Sequence, residues 1–221
     1  MNHQIIIVGS GGHAKVVADI VMLGGQFTIA GFLDDVHADR YGTRFFGSTV
    51  LGGTDLLASL GRQGVSHGFV AVGQWQARVT AAERLRASGL SLPVLRHPAA
   101  TIARDVAAGD GTVFMAGAIV NPGTTLGTNV IVNTAASVDH DCEIGDAVHI
   151  APGARLAGHV RVGRGAWVGI GAVVIDRVSI GAGAVIGAGA VVVKDIPDGV
   201  VAFGNPASVV RRVIDAETAS L

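Results

Sequence analysis

A half-size α/β domain, then an all-β parallel helix of short coils and a brief C-terminal tail, is the fold that this 221-residue sequence predicts. Three patterns lead there. Large apolar residues recur every six positions through the second half. A strand, a glycine-rich turn and a helix open the first half. Further strands alternate with helices up to about residue 96.

The six-residue period runs from Ile102 through Phe114, Val138, Leu156 and Val174 to Val192, and of its sixteen positions only Ala108 is not large and apolar. Four residues after each of the first fifteen lies a second phase, from Val106 through Ala118, Cys142 and Ala154 to Ala190, made of small or medium side chains that are at most weakly polar. A period of six fits neither the 3.6 of a helix nor the 2 of an alternating strand. It fits a hexapeptide parallel β-helix, in which three hexads close one triangular coil of about eighteen residues. The repeat therefore predicts about five coils.

Composition agrees. The 33 glycines suit tight corners and the 5% aromatic content suits a narrow prism. A net charge of −1 argues against a nucleic-acid partner. No charged block and no apolar run of membrane-spanning length is present. Met1 to Val8 leads straight into a strand pattern, which leaves no room for a signal peptide and makes the cytoplasm the expected location. Cys142, the single cysteine, falls on the small interior phase, so it reads as core and no disulfide framework exists.

The first half is read in order. Ile5 to Val8 is a buried strand, Gly9 to Ala14 a turn, and Ala14 to Leu23 a helix closed by Gly24-Gly25. Phe27 to Leu33 is a second strand ending at Asp34-Asp35. Thr54 to Leu60 is a helix with Thr54 as N-cap. Ser66 to Val72 is a strand and Ala77 to Ala87 a helix. Such alternation predicts a small parallel α/β domain. Pro93 and His97-Pro98 mark the passage to the first coil, giving domains at 1–96 and 97–221. After Val192, turns at Asp195 to Gly199 and Gly204 to Ala207 precede a short helix expected from Ser208 to about Glu217.

Gly9-x-Gly11-x-x-Ala14 follows a strand, opens a helix and has an acidic pair about twenty residues on, as the dinucleotide-binding fingerprint requires. Glycines let the backbone approach a diphosphate, and the helix N-terminus favours its charge. Asp34 or Asp35 is then a candidate for a ribose hydroxyl, and His13 and Lys15 are candidate donors to phosphate or sugar. The plainer alternative is a tight strand-to-helix turn, with Lys15 an exposed helix residue. About ninety residues hold half of a full dinucleotide fold, so a mononucleotide or nucleotide sugar is the expected ligand.

Three histidines lie in the repeat. His140 and His159 are nineteen apart and so near-neighbours on adjacent coils; His149 is nine from His140 and on another face. Packing around a threefold axis can bring such faces together, which predicts a homotrimer with sites between prisms. His140 sits between Asp139 and Asp141, and a carboxylate beside an imidazole orients its tautomer as a general base requires. A solvated histidine between turn-forming aspartates is the bland alternative.

Taken together, Gly9-Ser10-Gly11-Gly12-His13-Ala14-Lys15, Val138-Asp139-His140-Asp141-Cys142-Glu143-Ile144-Gly145, His149-Ile150-Ala151-Pro152-Gly153 and Gly204-Asn205-Pro206-Ala207 resemble the sugar O/N-acyltransferases of the sialate O-acetyltransferase type. Within that family the chain is most similar to bacterial N-acetyltransferases of nucleotide-linked 4-amino-4,6-dideoxy sugars. The resemblance spans essentially the whole chain and implies a left-handed β-helix, acetyl-CoA as co-substrate, a UDP- or GDP-linked sugar as acceptor and no metal. It implies His140 as general base with Asp141 as its polarising partner, and His149, Ile170 and Ala188 along the acetyl-CoA arm. It further implies Gly11, Gly12, His13, Asp34, Asp35 and Gly73 around the nucleotide sugar. One departure is visible: where relatives often carry Asp-Asn after the glycine matching Gly73, this chain has Gln74-Trp75-Gln76. Transfer to a hydroxyl, of sialate or of serine, is the alternative, and a non-catalytic trimeric binding module is more remote. The zinc-dependent carbonic anhydrases also use hexapeptide prisms with three-histidine sites, but histidine spacings of nine and ten match them poorly.

Overall fold

The computed structural model describes residues 2–214, and the chain divides into two compact units after Pro98. In the first unit β1 (His3–Val8) is the hub. It pairs in parallel with β2 (Phe27–Leu33) on one side and with β5 (Val65–Val70) on the other. The four residues Ile5 to Val8 are at most 5% exposed, as expected of a strand covered on both faces. The hairpin of β3 (Arg44–Phe45) and β4 (Ser48–Gly52) completes the sheet in the order β3-β4-β2-β1-β5. The sequence reading missed this hairpin.

Helix α1 (Gly12–Gly24) ends at Gly25, which is left-handed at φ 65° and donates its N–H to the Val21 carbonyl. Helix α2 is Leu57–Arg62. Thr54 is not its N-cap: Thr54–Leu56 forms a 3₁₀ turn preceded by Gly53, and the Thr54 hydroxyl bonds Asp35 instead. Helix α3 (Trp75–Ala87) starts two residues before its predicted start, because the Gln74 side chain accepts from the Ala77 N–H at 2.5 Å and serves as cap. Gln74 thus supplies the acceptor that an aspartate would supply after Gly73.

The second unit is a left-handed parallel β-helix. Two-residue rungs stack in parallel with a strict eighteen-residue register, as in Ile119↔Ser137, Ser137↔Arg155 and Arg155↔Val173. Both interior phases are buried, including Leu156 at 2% and Cys142 at 0%, except that Ile102 and Ala108 in the first coil are only half-buried. The two threonines of the small phase satisfy their hydroxyls on backbone carbonyls, Thr112 on Gly127 at 3.0 Å and Thr124 on Asp139 at 2.7 Å. One residue in six turns a corner with positive φ. Glycine fills most corners, but Asp141 (φ 56°) and His159 (φ 58°) each hold one.

The expected C-terminal helix is not formed over the described residues. Ala207–Arg212 is instead a strand, antiparallel to Val200–Gly204, which itself extends a prism face beyond Val185–Ile186. Ser208-Val209-Val210 is rich in β-branched residues, and an open sheet edge outweighs a weak helix preference. Residues 215–217 of that expectation lie outside the described residues. No helix among the described residues is long and apolar enough to cross a membrane.

Candidate functional site

Two clusters carry chemistry, one in each unit. In the first, the strand order reverses at β1: the path leads outward to β2 on one side and returns to β5 on the other. In an open parallel sheet, ligands bind outside the carboxyl ends of the strands at such a switch point. Here the loops after β1 and β5, carrying Gly9–Gly12 and Gly73, flank it.

Gly9 is structural. Its φ of 115° and a Cβ position 2.7 Å from the Ala71 carbonyl oxygen exclude any other residue. Gly11 and Gly12 differ: a Cβ on either would meet nothing within 4 Å, so their glycines leave open space above helix-initial amides. No side chain caps α1 and no acidic residue lies in its first turn, so its N-terminal field is uncompensated.

Asp34 is 5% exposed and already engaged. It accepts from the Ser10 hydroxyl, from the Val36 and His37 amides at 2.9 Å each, and faces His37 Nδ1 at 3.3 Å. Burial alone would raise its pKa, but these hydrogen bonds outweigh it and hold the carboxyl at about 2. A carboxylate depressed below its unfolded value of about 3.9 adds stability above that pH, and the gain is lost as pH falls toward 2. Asp34→Asn should therefore cost about 2 kcal/mol at neutral pH and almost nothing near pH 2, read from urea melts. Asp35 is likewise engaged, accepting from the Thr54 N–H at 2.7 Å and from Arg84 at 3.0 Å.

Two cations that the sequence reading missed flank the loop. Arg40 donates to the Ser10 carbonyl at 2.8 Å. Arg78, 1% exposed, donates to the Val72 and Gly73 carbonyls at 3.0 and 2.5 Å, tying α3 to the loop after β5. Burial lowers its pKa to about 10, so it stays charged. His13 lies close enough to feel that charge. Burial first, then Arg78, lowers its pKa to about 4, and its Nε2 is buried with no partner among the described residues. Lys15 instead extends over the Phe45 ring at 5.9 Å.

In the prism, the structure joins His140, Asp141 and His159 and keeps His149 apart, as the spacing predicts. Asp141 Oδ2 lies 2.8 Å from His140 Nδ1 and 3.8 Å from His159 Nε2, and the two rings meet edge to face at 5.2 Å. Asp139 turns away: Asn121 at 2.8 Å and the His140 amide at 2.8 Å occupy it and lower its pKa. Asp141 is therefore the carboxylate that orients the ring. It favours the Nδ1–H tautomer and leaves the Nε2 lone pair for a proton.

Gly158, one coil on, forms the seat of that ring. A Cβ there would lie 2.6 Å from His140 Cε1. Gly158→Ala should fold and melt within about 1 kcal/mol of wild type yet lose roughly 10- to 100-fold in turnover, since the ring must move. Cys142 faces the Ala157 carbonyl at 3.2 Å, and burial raises its pKa, so it stays a thiol.

His149 is 6% exposed, with Nε2 2.9 Å from the Asn133 amide and its ring 4.1 Å from the half-buried Trp167 ring. Ile170 is 60% exposed, and its carbonyl accepts from Gly189 at 2.8 Å, which places the exposed Ala188 on the adjoining coil.

Residues 4–85 match the family model described as the PglD N-terminal domain, and residues 159–194 that of the bacterial transferase hexapeptide (six repeats). Perosamine N-acetyltransferase from Caulobacter crescentus, solved as a histidine-to-asparagine mutant with CoA and GDP-perosamine, superimposes with a TM-score of 0.90. It is 41% identical, over 94% of this chain and 96% of that one. The acetyltransferase domain of PglB from Neisseria gonorrhoeae FA1090, in complex with acetyl coenzyme A, gives 0.89 at 43% identity over 95% and 100%. GDP-perosamine N-acetyltransferase from Escherichia coli O157:H7 is 36% identical over 96 residues; the match spans 41% of this chain and 41% of the length of that curated relative.

Proposed function

This chain belongs to the sugar N-acyltransferase family of perosamine N-acetyltransferase, and from that premise we propose that it moves an acetyl group from acetyl-CoA to the C4 amine of a nucleotide-linked 4-amino-4,6-dideoxy sugar, with GDP-perosamine the favoured acceptor. The observation that carries the chemistry is the imidazole of His140, seated on Gly158 and oriented through Nδ1 by Asp141. Nε2 takes a proton from the amine as its nitrogen attacks the thioester carbonyl. The C–S bond then breaks, and the proton returns to the leaving CoA thiolate. No covalent enzyme intermediate is needed, and the buried Cys142 thiol takes no part.

Acetyl-CoA lies along the prism of a homotrimer, against the exposed Ile170 and Ala188, with His149 bracing the Trp167 ring from behind. The nucleotide diphosphate lies at the switch point of the first unit. Gly11, Gly12 and Gly73 offer backbone amides, Arg40 and Arg78 add positive charge, and the unpaired nitrogen of His13 gains a polar partner. Asp34 and Asp35 shape this crevice from behind, since their oxygens already hold Ser10, His37, Thr54 and Arg84. Acetyl-CoA and sugar nucleotides are pools of the cytoplasm, where this reading puts the enzyme.

Gly12→Ala tests the nucleotide site. The new methyl meets no protein atom and favours the helix by up to about 1 kcal/mol. Stability should hold or rise, while KM for the nucleotide sugar rises about tenfold and KM for acetyl-CoA stays put. An unchanged nucleotide-sugar KM would remove the loop from the site.

A further inference from the structure

We propose that His140, Asp141 and His159 also form a zinc-class divalent-cation site, and that an ion bound there switches the transferase off. One nitrogen from each imidazole and one Asp141 oxygen lie within 4.8 Å of one another. Donors about 2.1 Å from a shared tetrahedral zinc stand about 3.4 Å apart. The separations of Asp141 Oδ2 from the two ring nitrogens, 2.8 and 3.8 Å, bracket that value. Two imidazoles and a carboxylate suit zinc over magnesium or calcium.

Backbone geometry fixes the trio. Asp141 and His159 occupy successive left-handed corners of one prism edge, and the His159 N–H donates to the His140 carbonyl at 2.9 Å. Left-handed φ is costly for any residue but glycine, and Asp and His are among those that bear it best. The side chains of His140, Asp141 and His159 are 52%, 52% and 46% exposed, so an ion can enter and a fourth position stays open to water. His159 and Asp141 also border a shallow groove of about 580 Å³ with Gly123, Thr125, Glu143 and Arg161. Glu143 adds negative charge there, though it also pairs with Arg161.

The switch follows from the tautomer. With the ion on Nδ1, a neutral imidazole carries its proton on Nε2, the atom that must receive one from the amine. The proton formerly on Nδ1 leaves to solvent and another is held at Nε2, so net charge on the ring is unchanged and the base is lost. This inhibitory half rests on the acetyl-transfer reading; binding of the ion does not.

Cobalt(II) titration of the chelator-treated full chain, without substrates, separates the two. A visible d–d absorption band saturating at one ion per chain, displaced by zinc and absent from His159→Asn, is expected; asparagine tolerates the corner. In turnover, followed by thioester loss because free CoA thiol itself binds zinc, zinc at site-filling concentration should lower the wild-type rate at least tenfold. EDTA should restore it. His159→Asn should keep its rate in the presence of zinc. No cobalt band in wild type would overturn the site. Equal zinc inhibition of both proteins, or a rate that depends on added metal, would overturn the switch.

Discussion

His140→Ala is expected to lower kcat about 10²- to 10⁴-fold, the range by which a positioned general base accelerates proton transfer. KM for both substrates should change little. The side chain is half-exposed and sits on the outside of the coil, so its removal opens no cavity, and melting should shift by no more than about 0.5 kcal/mol. Kinetics and a thermal melt on the same preparation separate loss of the base from loss of the fold. Near-normal kcat would show that the amine loses its proton elsewhere. Asp141→Asn should have a smaller effect in the same direction, because the ring stays in place on Gly158 while its tautomer preference is lost.

The second large effect is on folding. Leu156 is 2% exposed and stacks in register between Val138 and Val174 inside the prism. Shortening such a residue to alanine already costs about 2–5 kcal/mol. Leu156→Asp adds a carboxylate with no partner, and the sum rivals the 5–15 kcal/mol that holds a whole domain together. Insoluble protein, or a soluble chain without a cooperative melt, is expected. A normally melting Leu156→Asp protein would mean that the interior phase has been misread.

The prism was legible because its code is periodic. Each interior position repeats every six residues, and the eighteen-residue coil places any two side chains without further information. The nearness of His140 to His159, and the distance of both from His149, follow from subtraction alone. The same arithmetic does not say which flanking aspartate faces His140. That depends on Asn121, one coil back, capturing Asp139. The switch-point loop was legible as strand, glycines and helix. Its electrostatics were not, because Arg40 and Arg78 reach it from elements far along the chain and only the fold brings them there.

Other errors share a cause. Ser208 to Arg212 and the β3–β4 hairpin are short segments whose state is set by an available sheet edge, which outweighs local preference. Asp34 and Asp35 fit a ribose-binding pattern in the sequence, but the neighbours that already bond to their oxygens are a matter of partners that spacing does not record.

Thioester loss from acetyl-CoA by the metal-free protein is the measurement to make first. Acceptors would be GDP-perosamine, a UDP-linked 4-amino-4,6-dideoxy sugar, free sialate and serine, with products weighed by mass spectrometry. Transfer to a sugar amine predicts turnover with an aminosugar nucleotide, GDP-perosamine foremost, and a product heavier by one acetyl group on nitrogen. Turnover with sialate or serine alone, or with none of the four, would contradict it.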